Sequence, residues 1–259
     1  MSRLAADLAL ALDPCALAAA VGMVPDGWQA DLLRSNEPQV ILNCSRQSGK
    51  STMTGVLAYH VAAYRPPALV LLLSPTQRQS GELFRKLKDV HNALGADACL
   101  VSEESALRIE FANGSRVVCL PGTAATVRSY SAPSLVVIDE AAQVEDDLYE
   151  AVRPMLAVSR GRLVLLSTPF GRRGFFFDEW TNGGPNWRRV KVTAADCPRI
   201  SDEFLAEEKE RRGSWYVRQE FGCEFVETDD QVFGLDLITE AISADVKPFF
   251  GGWRCGQCS

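Results

Sequence analysis

A chain of 259 residues that is 47% hydrophobic and 23% charged is long enough to bury a substantial core without disulfide bonds or structural metal. This composition excludes an intrinsically disordered, collagen-like or coiled-coil protein. The formal net charge of -6 excludes a protein that coats DNA through bulk positive charge, although it leaves room for a local basic groove. No apolar run approaches the ~20 residues that span a bilayer, so we expect no association with a membrane.

The N-terminal segment is predicted to be helical. Three short helices are expected over residues 3–12, 14–20 and 28–35. Asp13 and Pro14 supply an N-cap side chain and a proline at the first helical position, a combination that starts helices. A Pro-Asp-Gly turn then separates the second helix from the third.

Short apolar runs alternate with helical segments through the middle of the chain, and each run is predicted to be a buried strand. The predicted strands are Val40–Asn43, Leu69–Leu73, Leu135–Ile138 and Arg162–Leu166. The predicted helices between them cover residues 49–63, 77–91 and 145–157. This alternation indicates an α/β fold with a mostly parallel sheet and helices on both faces. Asn113-Gly114 indicates a β-hairpin over residues 108–120.

The pattern weakens after Gly183-Gly184-Pro185. Beyond this point a strand at residues 187–192 and a charged helix at residues 202–212 are predicted. We therefore expect a core domain with a helical lead-in over residues 1–182 and a small linker or lid subdomain over residues 183–259.

Eight cysteines are scattered without the spacing of a disulfide framework, which fits a reducing compartment. Cys255 and Cys258 form a terminal CxxC pair, but no second pair or nearby histidine completes the four ligands of a zinc site. We interpret this pair as part of a loose C-terminal tail.

A phosphate-binding loop is predicted directly after the first strand of the sheet. Residues 44–51 fit the pattern GxxxxGK[ST], with Cys44 in place of the first glycine. Where a strand ends and a helix begins, backbone N–H groups and the positive end of the helix dipole face a bound phosphate. Lys50 is expected to contact the β- and γ-phosphates, and the Ser51 hydroxyl, with Thr52 beside it, to ligate Mg²⁺. An ordinary strand–turn–helix with a surface lysine is the alternative.

An acidic pair, Asp139 and Glu140, ends the third strand. The pattern is typical of a Walker B element, in which Asp139 holds the Mg²⁺ shell through water and Glu140 polarises the attacking water as general base. The alternative is a strand that ends in solvent with two acids. The fourth strand ends in Ser167-Thr168-Pro169, which either senses a γ-phosphate or only ends the strand.

Together these elements resemble the ATPase domain of the large terminase subunit, the DNA-packaging motor of tailed phages and herpesviruses. Their order and spacing agree with that family over about residues 13–250. The matching segments are Asp26–Gln29, Ser45–Ser51, Ser74–Gln77, Leu135–Ala142 and Ser167–Pro169. The resemblance implies a P-loop NTPase fold of the ASCE, RecA-like class, in which a mostly parallel sheet is flanked by helices and followed by a small C-terminal linker subdomain.

The resemblance also implies roles for individual residues. Gln29 matches an adenine-sensing glutamine, and Arg46 matches an arginine that neutralises charge on the γ-phosphate. The implied ATP-binding set is Gln29, Ser45, Arg46, Gln47, Ser48, Gly49, Lys50, Ser51 and Thr52. Ser51 and Asp139 match the metal-associated residues, and Ser167-Thr168-Pro169 matches the motif that couples hydrolysis to movement.

Three residues are implied in catalysis by the same resemblance: Glu140, Arg46 and Arg128. Glu140 matches the catalytic base. Arg128 lies a few residues before the acidic strand, where related motors often carry an arginine finger that acts on a neighbouring subunit. An ordinary exposed arginine is the alternative for Arg128.

The implied function is ATP hydrolysis, with Mg²⁺ as cofactor, that drives packaging of double-stranded viral DNA into a procapsid. The implied partners are DNA, the portal protein of the procapsid, the small terminase subunit and further copies of the chain in a ring, all in the host cytoplasm. Related proteins continue into an RNase H-like nuclease domain. Gln231–Phe233 resembles the stretch that precedes that domain, and the chain ends at Ser259, so we expect no nuclease activity from it. An ATPase-domain fragment and a natural protein that is split from its nuclease are both compatible with the sequence.

Basic clusters after the fourth strand are candidates for contact with DNA. The candidates are Arg172, Arg173, Arg188 and Arg189. Such groups suit sequence-independent contact with the phosphate backbone. Scattered basic pairs are also typical of an ordinary solvated surface.

Two other functions are compatible with the sequence. A superfamily 2-like helicase or translocase shares the early motifs but needs a second RecA-like domain, and no second pair of Walker-like motifs follows residue 170. A non-enzymatic nucleotide-binding assembly module would show no turnover. Unwinding of a tailed duplex tests the first alternative, and steady-state phosphate release tests the second.

Overall fold

Eight strands form one mixed sheet in the structure, a computed structural model that describes residues 3–226. The strands are β1 (Gln39–Cys44), β2 (Leu69–Ser74), β3 (Val101–Glu104), β4 (Arg108–Phe111), β5 (Arg116–Pro121), β6 (Leu135–Asp139), β7 (Arg162–Ser167) and β8 (Arg188–Val192). Strand β4 runs antiparallel to both of its neighbours, β3 and β5, and the other pairs are parallel.

The order of the strands is β3-β4-β5-β2-β6-β7-β1-β8. Strand β7 therefore lies between β1, which leads into the predicted phosphate loop, and β6, which ends in the predicted acidic pair. Because the three strands are parallel, their carboxyl ends meet at one edge of the sheet. This is the predicted α/β architecture.

Helices precede the sheet and connect its strands. They are α1 (Arg3–Leu12), α2 (Pro14–Ala20), α3 (Gly27–Arg34), α4 (Lys50–Tyr64), α5 (Gln77–Leu94), α6 (Ala124–Val127), α7 (Asp146–Ser159), α8 (Gly174–Asn182), α9 (Asp202–Arg212) and α10 (Ser214–Glu220). Asp13, Thr76 and Ser201 cap α2, α5 and α9 by accepting backbone N–H groups. Short polar side chains begin helices because these N–H groups have no acceptor within the helix.

Both faces of the sheet are covered, which explains the apolar runs in the sequence. In β1, Val40 and Leu42 pack in the layer that contains α4 and α5, whereas Ile41 packs in the layer that contains α7 and α8. Side chains alternate between the two faces of a strand, so a strand covered on both sides needs apolar residues at successive positions.

Sequence patterns do not predict β3, α6, α8 or α10, whereas the other helices and strands lie where they are predicted, with ends shifted by a few residues. All four residues of β3 are exposed at the edge of the sheet, so the strand carries no apolar alternation. Helix α8 begins at Gly174, whose φ is 77°, and buries Phe175 and Phe176 in the α7 layer. Tertiary contacts of this kind leave no local periodic pattern.

Part of the predicted C-terminal subdomain lies outside the described residues, as do Gln231–Phe233 and the Cys255–Cys258 pair. The boundary predicted at residue 183 falls just before β8, which is an edge strand of the main sheet. Division of the chain at that point stays a prediction. None of the helices within residues 3–226 has the length and apolar character needed to cross a membrane.

Gly161 lies where the turn before β7 passes close to the turn before β6. A Cβ at this position would lie 2.1 Å from the Pro133 carbonyl oxygen, so the backbone would have to move. We predict that Gly161→Ala lowers the free energy of unfolding by about 1–3 kcal/mol in urea titrations. Gly81→Ala in α5 is the control, because its Cβ meets open space and should stabilise the helix by up to about 1 kcal/mol. Equal unfolding midpoints for the two variants would contradict this account.

Candidate nucleotide-binding site

The loop between β1 and α4 has the backbone geometry of an anion cradle. Gln47 and Gly49 adopt left-handed φ angles of 59° and 83°, which turn the chain so that α4 begins at Lys50. The φ of Gly49 is one that side chains rarely adopt, and a Cβ there would lie 2.9 Å from Gln29 Nε2, so glycine is favoured at this position. The first turn of α4 carries N–H groups without acceptors in the helix, and such groups bind phosphate.

Cys44, which replaces the first glycine of the motif, is the last residue of β1 and is fully buried. Burial raises the pKa of its thiol, so the side chain stays neutral and packs as a small apolar group. Because the position belongs to the strand, it needs no left-handed backbone, and cysteine is accommodated.

Two contacts join the loop to the acidic pair at the end of β6. Lys50 Nζ lies 2.9 Å from Glu140 Oε1, and the Ser51 hydroxyl donates to Asp139 Oδ2 over 2.9 Å. Burial of Lys50 disfavours its charge, but the carboxylates of Glu140 and Asp139 together outweigh burial and hold its pKa above the ordinary value. The structure thus brings together the four residues that the two motifs supply.

Asp139 is only 7% exposed, at the carboxyl end of β6. Burial, reinforced by the charge of Glu140, raises the pKa of Asp139 to about 6, although Lys50 and Ser51 favour its ionised form. Asp139 Oδ1 accepts the backbone N–H of Glu140 over 3.0 Å. Glu140 itself has a left-handed φ of 52°, a conformation that costs about 1–3 kcal/mol and occurs mainly at functional sites.

The predicted coupling segment lies between the loop and the acids, at the end of β7. Ser167 and Thr168 are buried, and Ser167 Oγ lies 3.5 Å from Glu140 Oε2. Ser167 is in register with Asn43 of β1. Pro169 follows and has no N–H to continue the strand. The segment therefore contacts one of the two acids directly.

Gln29, the residue predicted to sense adenine, is buried against the loop. Its Oε1 accepts the N–H of Asp26 over 2.8 Å, and its Nε2 donates to the Ser48 carbonyl over 3.0 Å. Both ends of the amide thus connect the start of α3 to the loop. Recognition of adenine stays a prediction.

Arg199 is a residue of this site that the sequence analysis missed. Its guanidinium donates to both carboxylate oxygens of Asp26 over 3.1 and 2.6 Å, and its Nη2 also donates to the Ser48 carbonyl over 3.2 Å. The Ser48 carbonyl therefore accepts from Gln29 and Arg199 together. Arg199 lies before α9, 151 positions after Ser48, and belongs to no motif, so no local signal indicates it.

Arg46 connects the loop to α10. Its Nε lies 2.8 Å from Glu220 Oε2, and its backbone N–H donates to the Glu220 carbonyl over 2.9 Å. The neighbouring N–H of Ser45 donates to the Val192 carbonyl at the end of β8 over 2.7 Å. Contact between Arg46 and a γ-phosphate stays a prediction.

The remaining loop residues differ in exposure. Gln47 is exposed, and Thr52 is half-buried in the first turn of α4. Ser45 is buried and its Oγ donates to the Arg46 carbonyl over 2.9 Å. Ser48 Oγ is buried and has no partner within the described part of the chain. Such a hydroxyl costs stability and is free to donate to a ligand.

The contacts described above do not include Arg128. It follows the last turn of α6 and is exposed. Strand β5, which precedes α6, is separated from β1 by β2, β6 and β7, and neighbouring strands lie about 4.8 Å apart. Action of Arg128 on a neighbouring chain stays a prediction.

Arg189, one of the four arginines predicted to contact DNA, has its donors engaged within the protein. Its guanidinium donates to the carbonyls of Glu179 and Trp180 in the last turn of α8, and to the carbonyl of Gly184. A cation at this position satisfies carbonyls that have no intrahelical donor. The contacts indicate a structural role in ending α8.

The other three predicted DNA contacts have different surroundings. Arg172 Nε donates to the Phe225 carbonyl over 3.2 Å. The Arg173 guanidinium lies over the ring of Phe170, 5.3 Å from its centroid. Arg188 begins β8 and is half-buried. Contact of these residues with DNA stays a prediction.

The sequence matches the family described as "Terminase large subunit, T4likevirus-type, N-terminal" over residues 41–240. The chain belongs to this family. The matched region begins within β1, so it contains the loop from Ser45 to Ser51, the acidic pair and Ser167-Thr168-Pro169.

Sequence relatives are terminase large subunits as well. The large subunit of Thermus virus P23-45 is 28% identical over an alignment of 256 positions, which covers 84% of this chain and 52% of that protein. The probable large subunit of Enterobacteria phage P7 is 24% identical over an alignment of 263 positions, which covers 92% of this chain and 53% of that protein. The chain thus spans about half the length of the curated relatives it matches.

Solved terminase structures share the fold. The ATPase domain of the Thermus phage P74-26 large terminase has a TM-score of 0.71 at 23% identity, with 81% of this chain and 97% of that chain covered. The large terminase of a second thermophilic bacteriophage, solved in complex with ADP, has a TM-score of 0.61 at 14% identity, with 78% and 54% covered. The P-loop architecture of this terminase chain is therefore established.

Arg199→Ala in this terminase chain is predicted to weaken ATP binding about tenfold, because the bidentate pair with Asp26 and the donation to Ser48 order the loop before ligand binding. Arg199→Lys retains the positive charge but lacks the planar guanidinium that pairs with both carboxylate oxygens, and it should lose most of the same ATP affinity. Titration with a fluorescent ATP analogue measures both. Arg78→Ala, which removes an exposed arginine of α5, is the control. Equal affinity in Arg199→Ala and wild type would refute this role.

Proposed function

We propose that this chain hydrolyses ATP and that hydrolysis drives translocation of double-stranded DNA into a viral procapsid. The observation that carries the proposal is the contact of Lys50 and Ser51, in the first turn of α4, with Glu140 and Asp139 at the carboxyl end of β6. A lysine, a hydroxyl and two acids in this arrangement suit a nucleoside triphosphate, its metal ion and an attacking water. Membership of the terminase family supports DNA as the load.

The loop would bind the triphosphate largely through its backbone. The N–H groups at the start of α4 and the dipole of that helix favour negative charge. Lys50 would contact the β- and γ-phosphates in competition with Glu140. Gln29 and Arg199 hold the Ser48 carbonyl, which lowers the cost of ordering the loop when nucleotide binds.

Ser51 and Asp139 fit a magnesium ion, which binds oxygen ligands and typically uses one or two carboxylates together with substrate phosphates and water. Their two side-chain oxygens are 2.9 Å apart. Within residues 3–226, no group of three or more acidic, histidine or cysteine side chains is suited to a metal, which agrees with a site that phosphate oxygens complete. When bound, Mg²⁺ would neutralise charge on the β- and γ-phosphates.

Glu140 would act as the general base. Its carboxylate contacts Lys50 on one oxygen and approaches Ser167 with the other. A phosphate that attracts Lys50 would release the Glu140 carboxylate, which could then accept a proton from the attacking water. The left-handed backbone of Glu140 directs its side chain toward the loop, a geometry that the preceding strand holds in place.

Arginines would complete the catalytic arrangement. Arg46 would neutralise the γ-phosphate after leaving Glu220, and this exchange would connect the nucleotide to α10. Arg128, exposed at the end of α6, would act on the site of a neighbouring chain in a ring. Ser167-Thr168-Pro169 contacts Glu140, so a movement of Glu140 during hydrolysis would be transmitted to the segment after β7.

In a packaging motor, the chain would work with double-stranded DNA, the portal protein of the procapsid and the small terminase subunit in the host cytoplasm. A net charge of -6 leaves DNA contact to a few placed cations. Arg172, Arg173 and Arg188 stay candidates for this role, whereas the donors of Arg189 are engaged by carbonyl groups of its own chain.

Glu140→Gln is predicted to lower steady-state phosphate release by about a hundredfold or more while ATP binding persists, because an amide cannot accept the proton from water. Lys50→Ala is predicted to lose turnover and to weaken binding as well. Glu150→Gln removes the same charge from an exposed position of α7 and serves as the control. Turnover in Glu140→Gln at the level of Glu150→Gln would exclude Glu140 as the base.

A further inference from the structure

Three arginines lie at the edge of the sheet where the parallel strands begin, opposite the edge that carries the nucleotide site. Arg162 is the first residue of β7, and Arg65 and Arg160 follow the last turns of α4 and α7. The three residues line one cavity of ≈ 210 Å³, which we call the arginine cavity. Its volume is far larger than the roughly 10–15 Å³ that a single water needs.

The hydrogen bonds that the structure gives the arginines of this cavity go to neutral acceptors. Among the residues the structure describes, Arg65, Arg160 and Arg162 form no ion pair. Arg65 Nη2 donates to the Asn36 side chain over 3.2 Å, and Arg162 Nη2 donates to the Leu32 carbonyl over 3.2 Å. Most of the guanidinium donors around the cavity are therefore available to an external acceptor.

Arg162 shows the electrostatic consequence most clearly. Burial, together with the charges of Arg65 and Arg188, lowers the pKa of Arg162 to about 10, against a weaker opposing effect of Glu37. Its Nε is buried and has no hydrogen-bond partner within residues 3–226. A largely buried cation that is repelled by two others and short of acceptors is stabilised by a bound anion.

Serine hydroxyls complete the wall of the cavity. Ser35, Ser134 and Ser159 line it beside the arginines. Ser159 Oγ already accepts the Gly161 N–H over 3.1 Å and donates to the Met155 carbonyl over 3.2 Å. The single hydroxyl hydrogen of Ser159 is thus already donated. The hydroxyls of Ser35 and Ser134, with the guanidinium groups, are donors of the kind that tetrahedral oxyanions use.

We propose that the arginine cavity binds a phosphate group. The planar guanidinium fork matches the spacing of phosphate oxygens. The cavity is distinct from the nucleotide site, because Arg162 and Ser167 are the first and last residues of the six-residue strand β7, and a strand of that length spans about 17 Å. The proposal therefore stands independently of ATP hydrolysis at the loop.

A purely structural role is the competing explanation. Arg65 and Arg160 stand at the carboxyl ends of α4 and α7, where the helix dipole favours cations. If that were their whole role, replacing them would change the affinity for inorganic phosphate no more than replacing exposed arginines elsewhere on the surface. This contrast supplies the test.

The test uses the full chain carrying Lys50→Ala, which weakens phosphate binding at the loop. In that background Arg65→Gln/Arg160→Gln is compared with Arg78→Gln/Arg85→Gln, which removes two exposed arginines from α5. Calorimetric titration and thermal unfolding are measured with inorganic phosphate, at an ionic strength held constant with chloride. We expect phosphate affinity about a hundredfold lower in the first variant, at about tenfold for each arginine, and unchanged in the control.

Arg65 and Arg160 are both exposed, so the double variant should fold. Arg162→Lys is a second probe, because lysine keeps the positive charge but lacks the planar fork of the guanidinium. It should weaken phosphate binding as well. Phosphate stabilises proteins generally through exclusion from their surface, which is why the control variant is needed. Equal phosphate binding in Arg65→Gln/Arg160→Gln and in the control overturns the proposal, as does an absence of phosphate binding in the Lys50→Ala background.

A second arm identifies the source of the phosphate group. The affinity for duplex DNA is measured against salt concentration for the same two double variants. Suppose that the titration shows phosphate binding that the cavity variant loses. If the slope of log affinity for DNA against log salt concentration is then smaller by about two in Arg65→Gln/Arg160→Gln than in the control, the site binds the DNA backbone. An unchanged slope assigns it to a free phosphate compound.

Discussion

Lys50 begins α4, after the loop that follows β1, and Glu140 directly follows β6. The two strands are separated by β7 and share no ladder. An ion pair of 2.9 Å joins Lys50 to Glu140, and a hydrogen bond of 2.9 Å joins the neighbouring residues Ser51 and Asp139. These two contacts connect the start of α4 to the end of β6. A buried lysine or aspartate alone is strongly destabilising, whereas together each supplies the partner that the other needs. The chemistry proposed for the chain depends on this arrangement, because it concentrates the charges that a triphosphate and its metal require.

The loop that carries Lys50 is held from several directions. The Ser48 carbonyl accepts from Gln29 in α3 and from Arg199 before α9, while Arg46 pairs with Glu220 in α10. Each of these partners comes from a segment distant in sequence. A shift of the loop by a fraction of an ångström would change its contacts with α3, with the segment before α9 and with α10. Through these contacts, hydrolysis at the loop could move other parts of the chain.

The sequence predicts the parts of this site that local patterns encode. Gly49 is recognisable because a left-handed turn between a strand and a helix favours glycine. Asp139 is recognisable because it ends a buried apolar strand at the edge of the sheet. The partners Arg199 and Glu220 were not predictable, since their contacts span more than 150 residues and follow no periodicity. The arginine cavity was likewise invisible, because Arg65 and Arg162 become neighbours only through the packing of α4 against the sheet.

The central claim is that this terminase chain is an ATP-driven motor subunit whose activity depends on DNA and on neighbouring copies. Steady-state phosphate release measured against protein concentration, with and without duplex DNA, tests it most directly. The account predicts a specific activity that rises with protein concentration and rises further with DNA. A specific activity that is constant across concentrations and indifferent to DNA would contradict the motor assignment, and an absence of phosphate release under every condition would contradict the ATPase itself.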